Sequence, residues 1–260
     1  MEKKDEGAEM IITNKGRTFV IVLVYSVLSS GGITKADIYD LSANWSDSSN
    51  PNGMWSYYVN NTLGQSSTRI VVDDTDENND DNFATNPGAP PIWTTDPGSS
   101  GYGYVGWSQS NGSEPSYWDL EAGDVYGYTS PLGIEIRWTS PVNGPIHIEG
   151  GIWTARDFGD PDRHKNTWTL FNNTGEDIEI LHTDVVYVGD PYNRSSPAPF
   201  DFDRYVNAGD VIWFFVEGSS LGTPNYIALD LEISVVPVPG SVFLCMLGLG
   251  VAGRKLHRSA

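Results

Sequence analysis

Apolar and polar residues alternate through much of the second half of the chain, the period of a strand with one buried face. In "GIEIRWTS", Ile134, Ile136 and Trp138 share one face, and Glu135 and Arg137 share the other. "PIHIEGGIW" sets Ile146 and Ile148 against His147 and Glu149. Its Gly150-Gly151 pair predicts a bulge or bend. "TWTLF" follows, then the turn "NNTGED", then "IEILHTDVVYV". "DVIWFFVEG" and "YIALDLEIS" complete the series, with Leu229, Leu231 and Ile233 directed to the core. Trp138 and Trp213 fall on predicted core positions. The β-branched and aromatic content suits strands, and the intervening Gly, Pro, Asn and Asp suit turns. No heptad, solenoid repeat or long helical pattern is present.

The first half is less regular. "DLSANWSDSSNPNGMWSYYV" reads as a short strand, a turn at Asn50-Pro51-Asn52-Gly53 and a second strand. From Asp73 to Glu114 the composition shifts to Asp, Asn, Gly, Pro and Ser with isolated aromatics, which predicts a loop-rich insertion over about 73–116 rather than a second core. The expected fold is all-β: a single antiparallel β-sandwich of jelly-roll type over residues 37–236, with a long early loop insertion.

Both ends differ from this pattern. Lys15 and Arg17 precede an apolar run from Phe19 to Leu28 and then small residues, the order of a secretory signal peptide. Residues 1–36 are read as that signal, with cleavage after Ala36. The leader "MEKKDEGAE" is unusually acidic, and initiation at Met10 would give a more ordinary signal. The alternative is an uncleaved N-terminal anchor. At the other end, "VPVPGSVFLCMLGLGVAGRKLHR" places a breaker before an apolar segment, Val242 to Gly253, and a basic finish. A helix of that length rises about 18 Å, short of a bilayer core of about 30 Å. Arg254, Lys255 and Arg258 would hold that end on the cytoplasmic side. A C-terminal core element with a basic tail is the other reading.

A signal-type N-terminus combined with Pro237-Val238-Pro239, a short apolar segment and Arg254, Lys255 and Arg258 resembles the PEP-CTERM proteins of Gram-negative-type bacteria. The family pattern has Pro-Glu-Pro, so Val238 stands in place of its acidic residue. The resemblance implies that residues 237–260 are a sorting and transient inner-membrane anchor segment, handled by export machinery with an exosortase-like protease. It implies a cell-surface or extracellular-matrix destination. "YDLSANWSDSSNPNGMWSY", "IRWTSPVNGPIHIEG" and "VNAGDVIWFFV" are similar to a β-sandwich domain of exported planctomycete-type PEP-CTERM proteins, which implies a fold and a location and no activity.

Charge narrows the partners. The chain carries 34 Asp+Glu against 15 Lys+Arg, a net charge of −19. A nucleic-acid binder needs a positive footprint, so nucleic acid is excluded as a partner. The one cysteine, Cys245, lies in the tail, so the central domain has no disulfide and depends on its core or on bound metal.

Candidate chemistry is sparse. Gly218-Ser219-Ser220-Leu221-Gly222 matches G-x-S-x-G, but a strand follows where a nucleophile elbow needs a helix. His147, His164 and His182 show no zinc-ligand spacing. Glu135, Glu149 and Glu179 lie on predicted strands, each expected to point to solvent. A glycosidase pair among them depends on spatial separation. In "DDTDENNDDN", Asp74, Asp76, Asn78 and Asp80 reproduce the alternating oxygen ligands of a calcium loop. Asn79 replaces the loop glycine, and Thr85 stands where the bidentate Glu belongs, so a solvated acidic loop is the competing reading. All 9 tryptophans lie between the two terminal segments. Trp93, Trp107 and Trp118, with Tyr102 and Tyr104, sit in the Gly/Pro/Ser-rich stretch and form a candidate platform for extracellular polysaccharide. Folding back over the sandwich is their other expected role.

The expected function is a non-catalytic exported surface or matrix protein. A carbohydrate-binding module is the alternative, and a glycan-active enzyme the third reading.

Overall fold

A computed structural model describes residues 36–67, 70–72, 83–85, 90–95, 105–114, 118–129, 131, 133–155, 165–175, 177–219 and 225–236. They belong to one compact unit, Ala36–Val238. Residues 1–35 of the predicted signal, the calcium-loop residues Asp74, Asp76, Asn78 and Asp80, Tyr102 and Tyr104, and the sorting residues Pro237, Val238, Pro239, Arg254, Lys255 and Arg258 lie outside the described residues. So do His164 and Ser220.

Among the described residues there are sixteen strands: β1 (Ile38–Asp40), β2 (Trp55–Val59), β3 (Thr62–Leu63), β4 (Gln65–Ser67), β5 (Ile70–Val72), β6 (Phe83–Thr85), β7 (Ile92–Thr94), β8 (Gly106–Gln109), β9 (Val125–Thr129), β10 (Ile134–Thr139), β11 (Gly144–Thr154), β12 (Lys165–Asn173), β13 (Ile178–Tyr187), β14 (Ala198–Val206), β15 (Val211–Gly218) and β16 (Asn225–Val235). The larger sheet runs β14-β11-β16-β9-β8-β7-β4, with β1 also paired to β16. The smaller runs β13-β12-β15-β10-β2-β3, and β5 and β6 form a separate pair. All pairings are antiparallel. Among the described residues there is no helix, and hence none long and apolar enough to cross a membrane.

The alternation works as expected. Ile134, Ile136 and Trp138 of β10 are buried, as are Ile146 and Ile148 of β11 and Leu229, Leu231 and Ile233 of β16. These faces meet in one apolar cluster between the sheets. Trp168 of β12 stacks on Phe214 of β15, with centroids 5.5 Å apart, and lies 5.5 Å from Phe200 of the opposing sheet. The all-β two-sheet sandwich therefore follows directly from the period-two pattern.

Three details differ from the sequence expectations. The span from 73 to 116 carries β6, β7 and β8, and the last two are joined to the larger sheet through β9. Gly150-Gly151 makes no bulge: β11 runs through it in unbroken register with both β14 and β16. These glycines serve close approach instead. A Cβ on Gly150 would lie 2.1 Å from the Asp230 carbonyl oxygen, and one on Gly151 would lie 2.6 Å from Pro197. A register shift occurs instead in the smaller sheet, in the β12–β13 pairing at Leu170/Phe171. Third, Trp213 is not a core residue. Ile212, Phe214 and Val216 take the inner face of β15, and Trp213 and Phe215 are half-exposed on the outer face.

Candidate ligand-binding face

The tryptophans proposed as a platform are core residues. Trp93, Trp107 and Trp118 retain 4%, 0% and 7% of their exposure. Trp93 and Trp107 are direct cross-strand partners. Trp93 stacks on Tyr57 and donates its indole N–H to the Ser46 carbonyl oxygen at 2.9 Å. Trp118 packs 4.2 Å from Tyr226 and 6.1 Å from Tyr126. None of the three presents a ring face to a ligand. The short strands that carry Trp93 and Trp107 turn these side chains inward by the same pleat that organises the rest of the sheet.

Tyr205 of β14 and Tyr187 of β13 are exposed singly, whereas a group of partly buried aromatics lies on the outer face of the smaller sheet. Tyr58 of β2, Trp213 and Phe215 of β15, and Phe171 of β12 are all half-exposed there. Register brings them together. Arg137 of β10 is directly opposite Trp213, and Trp213 is directly opposite Phe171. Glu135 is opposite both Tyr58 and Phe215. Phe171 and Trp213 have centroids 4.9 Å apart, and Phe215 meets Trp213 edge-on at 6.3 Å.

Arg137 is the polar centre of this face. Its guanidinium carbon lies 4.0 Å from the Tyr58 ring centroid and 4.6 Å from that of Trp213. Cation–π contacts of this kind hold the planar group against both rings. Glu135, two residues earlier on the same strand, fixes it. That carboxylate has 0% side-chain exposure, contrary to the solvent-facing position expected of it. It accepts from Arg137 Nε at 2.9 Å, from Arg137 Nη2, and from the Asn61 backbone N–H at 3.0 Å. A buried carboxylate without such partners would be strongly destabilising, so the pair is an obligate unit. Asn61 completes it by accepting from Arg137 Nη2 through Oδ1 at 2.8 Å.

The β2–β3 turn explains how Asn61 reaches this position. Asn60 and Asn61 both have positive φ, 48° and 60°. Two successive left-handed residues close a tight hairpin of the twist that adjacent strands need, and Asn tolerates the conformation. Gly133, with φ 70°, opens the other side: a Cβ there would meet the Phe215 ring at 2.4 Å.

The outer face of the larger sheet is different in chemistry. Asp201, Glu149, Glu232 and Asp40 form a cross-strand row, each directly opposite the next. Like charges so placed repel. Glu232 is held above the ordinary carboxylate range by partial burial and then by Glu149, Asp40 and Asp230. Asp230 is raised by burial and by Asp40, Asp124 and Glu149. His147 is raised first by its hydrogen bond to Asp203, Nδ1 to Oδ1 at 2.9 Å, and further by Asp201 and Glu149. Arg194 bonds Asp124 at 2.7 Å and Glu121 at 3.1 Å at one end of this face. Among the described residues no group of three or more His, Cys, Asp or Glu is arranged to hold a metal ion.

The remaining sequence candidates do not converge. Glu135 and Glu149 lie on the outer faces of opposite sheets, and Glu179 sits on the edge strand β13, 3.8 Å from Arg204. His147 is on β11, whereas His182 is on β13 and packs 4.9 Å from Trp168. The Arg137 cluster was missed because β15 reads "VIWFFV", an unbroken apolar run from which periodicity cannot say which ring faces out. Arg137 on the polar face of β10 was the available signal.

No family model matches the chain, and no curated protein matches it. Solved structures similar to it are β-rich modules. The K2 cleaved adhesin domain of Lys-gingipain superposes with a TM-score of 0.38 at 10% identity, covering 77% of this chain and 100% of that one. TmCBM61 in complex with beta-1,4-galactotriose gives 0.31 at 12% identity, over 50% of this chain and 80% of that one. The CBM22-1–GH10 modules of Clostridium thermocellum xylanase 10B, complexed with xylohexaose, give 0.33 at 8% identity, over 70% of this chain and 26% of that one. Similarity at this level transfers no function.

Proposed function

We propose that this chain is an exported, non-catalytic binding module of the cell surface or extracellular matrix, and that it contacts polysaccharide through the outer face of the smaller sheet. The observation that carries the reading is the half-exposed cluster of Tyr58, Trp213, Phe171 and Phe215 around an Arg137 locked by buried Glu135. A solvent-facing sheet surface is usually polar, and a group of aromatic rings left there is a binding feature. Flat rings stack on the C–H faces of sugars, and a fixed donor between them meets sugar oxygens. Export is supported by the signal-type N-terminus and by the Pro237-Val238-Pro239 tail with its basic finish. The exosortase-like protease belongs to that part of the proposal.

Affinity electrophoresis of residues 37–236 through gels containing single polysaccharides tests the reading. The parent is retarded by at least one of them, and Tyr58→Ala/Trp213→Ala, checked for an unchanged circular dichroism spectrum, migrates freely. Equal retardation of parent and double variant, or no retardation by any polysaccharide, contradicts it.

A further inference from the structure

We infer that Arg137 is the specificity-determining donor of this face, that buried Glu135 is its positioning residue, and that the ligand class is an uncharged polysaccharide with neighbouring free hydroxyls. The inference rests on the polysaccharide-binding reading above and assigns its chemistry.

The guanidinium has five N–H donors in a rigid fork. Nε and Nη2 are engaged by Glu135 and by Asn61 Oδ1. Nη1 makes no hydrogen bond to any described residue, and it is absent from the buried unpartnered polar atoms. Its two N–H groups therefore meet solvent, in a plane held by two hydrogen-bonded partners and by the rings of Tyr58 and Trp213. A donor pair immobilised in this way loses little conformational freedom on binding. It matches two adjacent oxygen acceptors, and the flanking rings, packed against the guanidinium, supply apolar contact beside it for the sugar ring. An ordinary surface arginine has neither the fixed plane nor the flanking rings.

Charge selects between glycans that could offer such oxygens. A uronate carboxylate would also fit the fork, but the guanidinium charge is already matched by Glu135 at its base. The chain as a whole is at −19. A polyanion thus approaches a repulsive surface with no uncompensated cation to receive it. Hydroxyl acceptors carry no such penalty. Glu135, with 0% side-chain exposure, does not touch the ligand. It sets the orientation and the effective charge of the group that does.

The test uses residues 37–236 with a neutral β-glucan, xylan and galactan on one side and polygalacturonate on the other, at low and high sodium chloride. The parent binds a neutral polymer with an affinity nearly independent of salt and does not bind polygalacturonate. Arg137→Lys keeps the charge but loses the fork and weakens neutral binding roughly tenfold or more. Glu135→Gln leaves the guanidinium uncompensated. It weakens neutral binding to a similar degree and gains salt-sensitive retention by polygalacturonate, which a merely structural role would not produce. Should Glu135→Gln fail to fold, Glu135→Gln/Arg137→Met removes both charges together and leaves neither class bound. If the parent prefers polygalacturonate, or if Arg137→Lys and the charge-free double variant bind neutral polymer like the parent while Tyr58→Ala/Trp213→Ala does not, this inference is overturned and the broader reading survives. If the parent binds no polysaccharide, both fall.

Discussion

Tryptophan at position 107 and tryptophan at position 213 do opposite work, and the difference is one of face. Trp107 is at 0% exposure inside the core cluster, whereas Trp213 stands half-exposed beside Arg137. Replacing a fully buried Trp with Ala removes its packing and leaves a cavity, at a cost of about 3–5 kcal/mol. Trp107→Ala is therefore expected to lower the urea midpoint strongly. Trp213→Ala is expected to lower it less while reducing polysaccharide retention. Equilibrium unfolding of the two variants beside the same gel assay separates the roles, and a larger stability loss for Trp213→Ala would contradict the assignment. Position 150 offers a sharper packing test. Gly150→Ala would force a Cβ to within 2.1 Å of a backbone carbonyl oxygen. The strand pair β11–β16 must then shift, and a clear fall in melting temperature is expected.

At the level of strands, the carboxylate row across β14, β11, β16 and β1 makes stability depend on pH in a definite direction. Glu232 and Asp230 have their folded values raised above the ordinary 4.5 and 3.8, and His147 is raised above 6.5. A raised folded value means that the native state binds protons more tightly than the unfolded chain. The stabilisation from these groups is complete below their unfolded values and is lost as pH rises through the folded ones. Carboxylates and histidine act here in the same sense. The melting temperature is expected to be higher at about pH 5 than at about pH 8, and Glu232→Gln should raise it at the higher pH and flatten the slope. A parent whose melting temperature climbs over that interval would show that the row does not govern it.

The same strands show what was readable beforehand. β10, the first half of β11 and the second half of β16 announce themselves because one polar residue separates each pair of apolar ones, and the inner-face residues expected there are buried. β7 and β8 were hidden. They have three and four residues, with no room for a period to register, in a stretch whose Gly, Pro and Ser content imitates a loop. For the same reason the sequence left their aromatics open between a ligand platform and folding back over the sandwich, and the second is what Trp93 and Trp107 do. Trp213 went the other way, because a strand apolar on both faces, such as β15, does not declare its orientation. Glu135 was placed on the correct face, but its burial was illegible. It comes from Asn61, delivered by a tight turn, and from Arg137, two residues along the same strand.

Across the whole molecule, the two outer surfaces divide the chemistry. The smaller sheet presents aromatic rings about a compensated arginine, and the larger presents carboxylates with His147 and Arg194 among them. A net charge of −19 sets copies of the chain to repel one another. In the export reading proposed above, the terminal segments serve delivery rather than binding. The native exported product is expected to begin near Asp37 and to end near Pro237. Intact-mass spectrometry checks both ends, and a product that retains Ala260 would contradict processing of the tail. Val238→Glu, which restores the acidic residue of the related pattern, is expected to increase the processed fraction.

The most direct measurement of the central claim is a titration of residues 37–236 with a neutral oligosaccharide, followed through the tryptophan indole resonances. The Trp213 signal is expected to shift progressively with ligand while those of Trp93, Trp107 and Trp118 stay in place. A saturating shift confined to the latter three, with Trp213 unmoved, would place the ligand elsewhere and contradict the assignment of the binding face.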